Sequence, residues 1–456
     1  MEGKIVSNLK EQSFYRTLLK VAFPIIIQNF IVSSLNMIDT MMIGKLGEIE
    51  IASVGIANQY FFLFNLIVMG IFSGCGIFIS QFWGRKDVKN IRKMLGIGLV
   101  CGGSVAIIFT LLAAILPKQI ISIFNTNPQV IELGTQYIRV VCLSYIFTTI
   151  TFNFAFASRC IEHAILPMIV SSFAILCNVF FNYMFIFGHF GAKPMGVKGA
   201  ALATVIARIF ECIVLIGYIY LSKGVLAAKF NEMLNFGKEF GIKVFKTVSS
   251  VVLNEACWGL GFVIYSVAYG RIGAKAMASI QICNTVQNLF MVIIFGIANA
   301  SVVMIGNKIG ANCEEEAKQY GKKLIKLACV IALGLALMLY LNSKKILQIF
   351  NISNEVYHDS LIILYIMSLI MIVRVFNITM IVGILRGGGD TKYALKLEAI
   401  TMWCIGVPIS FIGAFLFKFP VYIVYALVTI EEVIKAITAF RRFLSNKWVK
   451  NVISDI

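Results

Sequence analysis

Twelve stretches of roughly 20 mostly apolar residues recur along this chain, more greasy surface than one water-soluble core could bury. They fall near 17–43, 50–80, 91–116, 130–157, 163–187, 197–222, 242–268, 276–304, 320–342, 356–385, 392–416 and 420–443. An α-helix rises about 1.5 Å per residue, so about 20 residues match the hydrocarbon thickness of a bilayer. Inside a bilayer a helix also satisfies its own backbone N–H and C=O groups. Composition agrees, with 59% of the 456 residues hydrophobic, 14% charged and a mean hydropathy of +0.88. The chain reads as an all-α integral membrane protein of twelve transmembrane helices.

A net charge of +18 could signal nucleic acid, but the basic residues follow topology instead. "GRKDVKNIRK" (84–93), the 223–246 connection, "GNKIGANCEEEAKQYGKK" (306–323) and "RRFLSNKWVK" (441–450) all fall on one side of the membrane once both termini are placed in the cytoplasm. The expected location is the inner (cytoplasmic) membrane, multi-pass, with the lipid bilayer and not nucleic acid as the macromolecular surroundings. The first sixteen residues carry Glu2, Lys4, Lys10 and Glu11 and no small-residue cleavage site, so the first helix should stay as an anchor. The eleven cysteines include no C-x-x-C pair and read as small helix-packing residues. His163, His189 and His358 are far apart and form no H-x-x-x-H, and no G-x-x-x-x-G-K-[ST] loop occurs. Neither a metal-dependent enzyme nor a nucleotide-driven pump is indicated, and no cofactor is expected.

Sliding the sequence against itself by 226 residues lays "GKLGEIEIAS" (44–53) on "GRIGAKAMAS" (270–279), and Asn58, Gly70 and Gly84 on Asn284, Gly296 and Gly310. One inserted residue then brings Arg159 onto Arg386. A repeat of six helices keeps both halves in the same orientation, predicting two parallel-repeat six-helix bundles around a central cleft. The expected division is an N-terminal lobe over 1–222, a cytoplasmic linker over 223–240 and a C-terminal lobe over 241–456.

Polar groups inside the apolar helices narrow the function. Asp39 lies near the end of the first span, where an ionised carboxylate costs roughly 2.5–3.5 kcal/mol and needs a partner. Asn178 and Asn182 are four apart on one face of the fifth span, and Thr204 brings a hydroxyl from the small-residue sixth span. With a helix carbonyl such as that of Ala200, these oxygens could hold a sodium ion or a proton. They could equally tie helix to helix. Pro24 removes one ladder hydrogen bond from the first helix and permits a bend there, or a static packing kink.

These features resemble the multidrug and toxic compound extrusion (MATE) transporters over essentially the whole chain. The resemblance rests on Pro24, Gln28 and Asp39, on "MMIGKLGEIEIASVG", on Asn178, Asn182 and Thr204, and on "GILRGGGDTKYA" (383–394). It implies a cation site at Asp39, Asn178, Asn182 and Thr204, and export of amphipathic, often cationic, drug-like compounds in exchange for Na+ or H+. Some members of the family carry an acid at the position of Asn182, so the amide here lowers the formal charge of the site.

The second half is not a chemical copy, since Tyr265 stands where Asp39 does and Glu255 where Asn29 does. A buried Arg374 needs a counter-charge, and Glu255 is the expected partner, with Asn377 one turn from Arg374. That C-lobe group serves either structure or substrate and proton binding. Arg208 and Glu211, three apart, are expected to pair. Gln28, Gln59, Tyr60, Asn153, Gln281 and Asn284 are the candidate cleft-lining groups. The expected product is a monomeric secondary antiporter. The alternative is a lipid-linked saccharide flippase of the same double-bundle plan, whose cavity should carry several arginines.

Overall fold

The computed structural model describes residues 2–350 and 352–454, and all regular structure among them is helical. In chain order the helices are α1 (Glu2–Gly44), α2 (Glu48–Gly84), α3 (Val88–Ile115), α4 (Pro117–Ser122), α5 (Pro128–Val141), α6 (Ser144–Cys160), α7 (Ile165–Phe187), α8 (Gly196–Leu221) and α9 (Phe230–Leu234). There follow α10 (Lys238–Ile272), α11 (Ala274–Gly310), α12 (Glu314–Leu347), α13 (Asn354–Ile378), α14 (Thr391–Thr401), α15 (Val407–Phe411), α16 (Val421–Val428) and α17 (Ile430–Leu444). Three wider π-helical segments, Thr379–Leu385, Met402–Gly406 and Ile412–Leu416, extend α13, α14 and α15.

Ten of these helical spans are single, long and apolar enough to cross a membrane, and the other two expected spans are broken. The stretch read as one helix over 130–157 is α5 and α6, bent by 50°. Ser144 donates to the Val141 carbonyl (2.6 Å) and Thr110 to the Cys142 carbonyl (3.1 Å), so hydroxyls take up backbone oxygens that the bend frees. The stretch read over 420–443 is α16 and α17, separated at Thr429, whose hydroxyl donates to the Ala426 carbonyl (2.6 Å). Its second half carries Glu431, Glu432 and Lys435 and is far from uniformly apolar.

The chain divides into two compact units, Phe23–Val252 and Met1–Ala22 with Leu253–Ile456. The boundaries thus fall inside α1 and α10, not at the 223–240 linker. In the first unit α7 packs on α8, α2 on α3 and α5, and α6 on α3 and α8. A Cβ on Gly70 would lie 2.8 Å from the Val252 Cα, and one on Gly74 2.9 Å from the Val248 Cα, so these glycines let two backbones touch. In the second unit α13 packs on α11, α12, α16 and α17. The linker is folded against its own unit: Arg92 donates to the Val225 carbonyl (3.1 Å) and pairs with Glu232 (3.1 Å) on α9.

The duplication is visible in the backbone. Helices α2 and α11 are both 37 residues long and begin 226 positions apart. Gly47 and Gly273 precede them at φ 152° and 153°, and Lys86 and Asn312 follow them at φ 61° and 58°. Glu162 and Gly389, three residues after Arg159 and Arg386, turn at φ 63° and 81°. A lysine, a glutamate and an asparagine accept the left-handed region at these matched turns, so the turn geometry has outlasted the identity of its residues.

Candidate functional site

Within the Phe23–Val252 unit, α1, α2, α5, α7 and α8 surround a cavity of about 440 Å³. Asp39 from α1, Asn178 and Asn182 from α7 and Thr204 from α8 line it together. The i, i+4 spacing stacks the two asparagines, both almost fully buried, on the inward face of α7. Asn182 Nδ2 donates to Asp39 Oδ1 (2.6 Å) and to Asn178 Oδ1 (2.9 Å). Asn178 Nδ2 reaches Thr204 Oγ1 at 3.5 Å, and Thr204 donates to the Ala200 carbonyl (3.0 Å). Asn182 Oδ1 is buried with no donor. One amide NH2 therefore sits between two oxygens, where a small cation could equally sit, while its own oxygen is unsatisfied. Tyr137 of α5 borders the cavity with its hydroxyl at Thr204, a neighbour that the sequence reading did not single out.

A second network leaves the same cavity. Arg208 pairs with Glu211 (2.7 Å) as expected, and Ser171 donates to the other Glu211 oxygen (2.6 Å). Gln28 donates to Ser171 (2.8 Å) and accepts from Arg159 Nη2 (2.6 Å). Ser171 and Glu211 line both the large cavity and a water-sized one of about 30 Å³ beside Gln28 and Arg159. Gln28 thus stands in the interior of its own unit, four residues beyond Pro24, and α1 is one helix through that proline.

Of the expected cleft group, Gln28, Gln59, Tyr60 and Asn153 belong to the first unit and Gln281 and Asn284 to the second. Tyr60 donates to the Phe109 carbonyl (2.8 Å) and Asn153 to the Leu95 carbonyl (3.0 Å), both inside the first unit, so their polar atoms serve helix packing. Gln59 and Gln281 are exposed and Asn284 is half-buried.

The expected Glu255–Arg374 pair is replaced by two others. Glu255 pairs with Arg386 (2.5 Å), which also donates to Asn254. Arg374 faces Glu432 (3.5 Å), and Asn377 donates to the same carboxylate (2.7 Å). Hydropathy merges the last span into one apolar stretch, which hides Glu432, and ends the span of Arg374 just before Arg386. The remaining charges of that cluster, Glu398, Glu431 and Lys435, join the same unit (Lys435 to Glu398 2.9 Å, to Glu431 2.8 Å). The Glu431/Lys435 spacing of four was the signal that could have revealed them. Arg159 and Arg386 hold Gln28 and Asn254 at matching positions of the repeat.

A family model described as MatE matches residues 24–184 and again residues 251–412. The chain belongs to the MATE family. Its members are membrane transporters and not enzymes, and the doubled match coincides with the sequence repeat. A relative described as a probable multidrug resistance protein NorM from Thermotoga maritima is 23% identical over 448 residues, covering 96% of this chain and 94% of that protein. An uncharacterized transporter YisQ of Bacillus subtilis is 22% identical and covers 95% of each chain. Among solved structures, a MATE protein in the bent conformation superposes with a TM-score of 0.87 at 16% identity, covering 95% of this chain and 96% of that one. The Vibrio cholerae MATE transporter VcmN in the bent form superposes at 0.84 and 17% identity, covering 95% and 97%. The two-bundle MATE fold and a multidrug transporter of that family follow.

Proposed function

We propose that the chain is a secondary antiporter that exports amphipathic, often cationic, organic compounds in exchange for Na+ or H+ bound at Asp39. The observation that carries this is the Asn182 amide bridging Asp39 and Asn178 at the wall of the cavity while its own oxygen has no donor. An arriving sodium ion replaces the NH2 as the positive group between those oxygens, and the amide turns over to present Oδ1. A proton on Asp39 instead removes the charge that the amide serves. Either event cancels the carboxylate's charge and rearranges donors on α1, α7 and α8 together, which changes the cavity wall that an exported compound contacts. Exchange requires such a difference in affinity between two states.

Pro24 supplies the mechanical side. It cannot donate to the carbonyl four residues before it, so α1 bends there at lower cost than elsewhere. Solved MATE relatives titled as bent and as straight forms share this fold, and α1 is the segment in which we place the corresponding change here. The positive-inside distribution supports cytoplasmic termini, and we place the chain in the cell's inner membrane. Small organic molecules are its substrates, and it works as a monomer. Arg208 is already neutralised by Glu211, so it is not free for the anionic headgroup that a lipid-linked saccharide flippase must hold.

The test is ethidium efflux from proteoliposomes with a sodium gradient or a pH gradient imposed one at a time; the gradient that drives efflux names the ion. Asp39→Asn should fold in normal amount, because a neutral amide is cheaper to bury than a charge, and should bind substrate without dependence on that ion. Continued export against a gradient at the parent's rate by Asp39→Asn would remove Asp39 from the mechanism.

A further inference from the structure

The unit that contains Leu253–Ile456 buries a charge cluster that is one positive charge short. Glu398 from α14, Glu431 and Glu432 from α17 contribute three carboxylates, against Arg374 from α13 and Lys435 from α17. Among the described residues, neutral hydroxyls and a thiol also face them: Tyr265, Tyr269 and Cys257 from α10, and Tyr425 from α16. Glu255 and Arg386 balance each other in a separate pair. Glu398, Glu431 and Lys435 are 7%, 3% and 4% exposed, so water does not screen the imbalance.

The shortage is localised. Glu432 has Arg374 and Asn377, whereas the single Lys435 ammonium donates to Glu398 Oε1 and Glu431 Oε1 at once. A third oxygen of that pair, Glu431 Oε2, meets the Tyr265 hydroxyl. The backbone makes room for this contact. A Cβ on Gly406, in the π-helical segment Met402–Gly406, would overlap both the Tyr265 hydroxyl and Glu431 Oε2. One further buried oxygen lacks a donor: Asn377 Oδ1, on a residue 2% exposed. A cluster that lacks one positive charge and holds an orphaned acceptor lacks a hydrogen.

We infer that the Glu398–Glu431 pair shares one proton, making it a second proton-binding site in the unit opposite in sequence to Asp39. Two carboxylates share the one ammonium, so the proton belongs to the pair and not to either residue. It needs no cavity, since it occupies the contact between carboxyl and hydroxyl. Tyr265, the hydroxyl partner of Glu431, stands at the repeat position of Asp39. The pair lies wholly in the second unit and holds its proton whether or not Asp39 couples transport.

The experiment is infrared difference spectroscopy on the purified full chain in lipid, following the carbonyl stretch of protonated carboxylic acids at neutral pH. Glu398→Gln and Glu431→Gln each leave one carboxylate for one lysine, so each variant alone should lose one such band, and Asp39→Asn should keep it. Lys435→Gln leaves the pair without its cation and should gain a protonated-acid band. Size-exclusion profiles matching the parent establish that the glutamine variants are folded; the isosteric amides preserve volume. Folded Glu398→Gln and Glu431→Gln that both retain the parent's band at full amplitude overturn the inference. Loss of the band in Asp39→Asn alone does so too, by assigning the proton to the first unit, and leaves the Asp39 reading intact. If both glutamine variants misfold, Tyr265→Phe decides: the band must shift in frequency, because the hydroxyl partner of Glu431 is gone, and an unmoved band overturns the inference.

Discussion

Replacing Glu255 by glutamine should destabilise the protein far more than it alters ion dependence. Arg386 is 5% exposed and holds Glu255 Oε1 at 2.5 Å, with Asn254 as its second partner and its Nε without any. Removing one member of a buried pair costs about 3–5 kcal/mol because the other charge is left uncompensated. The Glu255 side chain is 24% exposed and Asn254 remains in place, so the low end, about 3 kcal/mol, applies. Arg386→Met should cost less, since it leaves unpaired the less buried member of the pair. In the Arg386→Met background, Glu255→Gln should then cost no more than about 1 kcal/mol. The four proteins are compared by the temperature at which the monodisperse detergent peak is lost, with transport measured per folded molecule. Additive losses across the cycle would refute the pairing. Normal stability of Glu255→Gln with transport abolished would show that the acid serves chemistry and not structure.

Three other outcomes are expected. Asn153→Ala should lower stability by about 1 kcal/mol, through loss of its bond to the Leu95 carbonyl, and leave the affinity for exported compounds unchanged; a raised KM at normal stability would return Asn153 to the cleft. Gly70→Val places a Cβ 2.8 Å from the Val252 backbone, and the resulting overpacking should cost about 1–3 kcal/mol, read as a lower Tm with Gly103→Val, where a Cβ meets open space, as the control. The Glu232 carboxyl on the linker is held below its usual value of 4.5, first by the Lys229 backbone N–H and then by Arg92. Its folded-state pKa is depressed, so its contribution is present above the unfolded value and is lost as pH falls through the depressed one. The protection factors of amides in residues 225–234, relative to the unstructured rate at the same pH, should therefore fall on acidification below about pH 4.5, and Glu232→Gln should already show low protection at neutral pH; protection independent of pH in the parent would refute this.

Most of the architecture was legible because bilayer length and repeat offset are properties of the sequence alone. The spans around Asp39 and Thr204 fell where hydropathy put them, and the i, i+4 spacing of Asn178 and Asn182 placed both amides on one face. Periodicity could not show which arginine meets which acid. Arg374 and Arg386 both follow an apolar run, and a π-helical segment intervenes between them, so a count at 3.6 residues per turn loses the facing direction before Arg386. The break at Thr429 and the charges after it lower local hydropathy, and a window average merges them with the greasy stretch before. Tyr137 escaped notice because a tyrosine in a mostly apolar helix reads as packing until its neighbours are known. Gln28 and Asn153 show the converse: an amide inside a span announces a polar contact, but the sequence does not say whether its partner is a ligand or the next helix.

The matched contacts of Arg159 with Gln28 and of Arg386 with Asn254 divide labour between two halves descended from one unit. In the second half the clasped helix, α10, has Ser250 where the first half has Pro24, with a backbone N–H to give and its hydroxyl on the Lys246 carbonyl (2.9 Å). The clasp there closes on an unbroken rod. In the first half the same clasp closes one turn beyond a joint, so bending α1 at Pro24 pulls directly on Gln28 and, through Ser171, on Glu211 and Arg208 at the cavity wall. Pro24 and Ser250 thus give two like clasps different backbones: one closes on a helix that lacks a ladder donor, the other on a helix that keeps it.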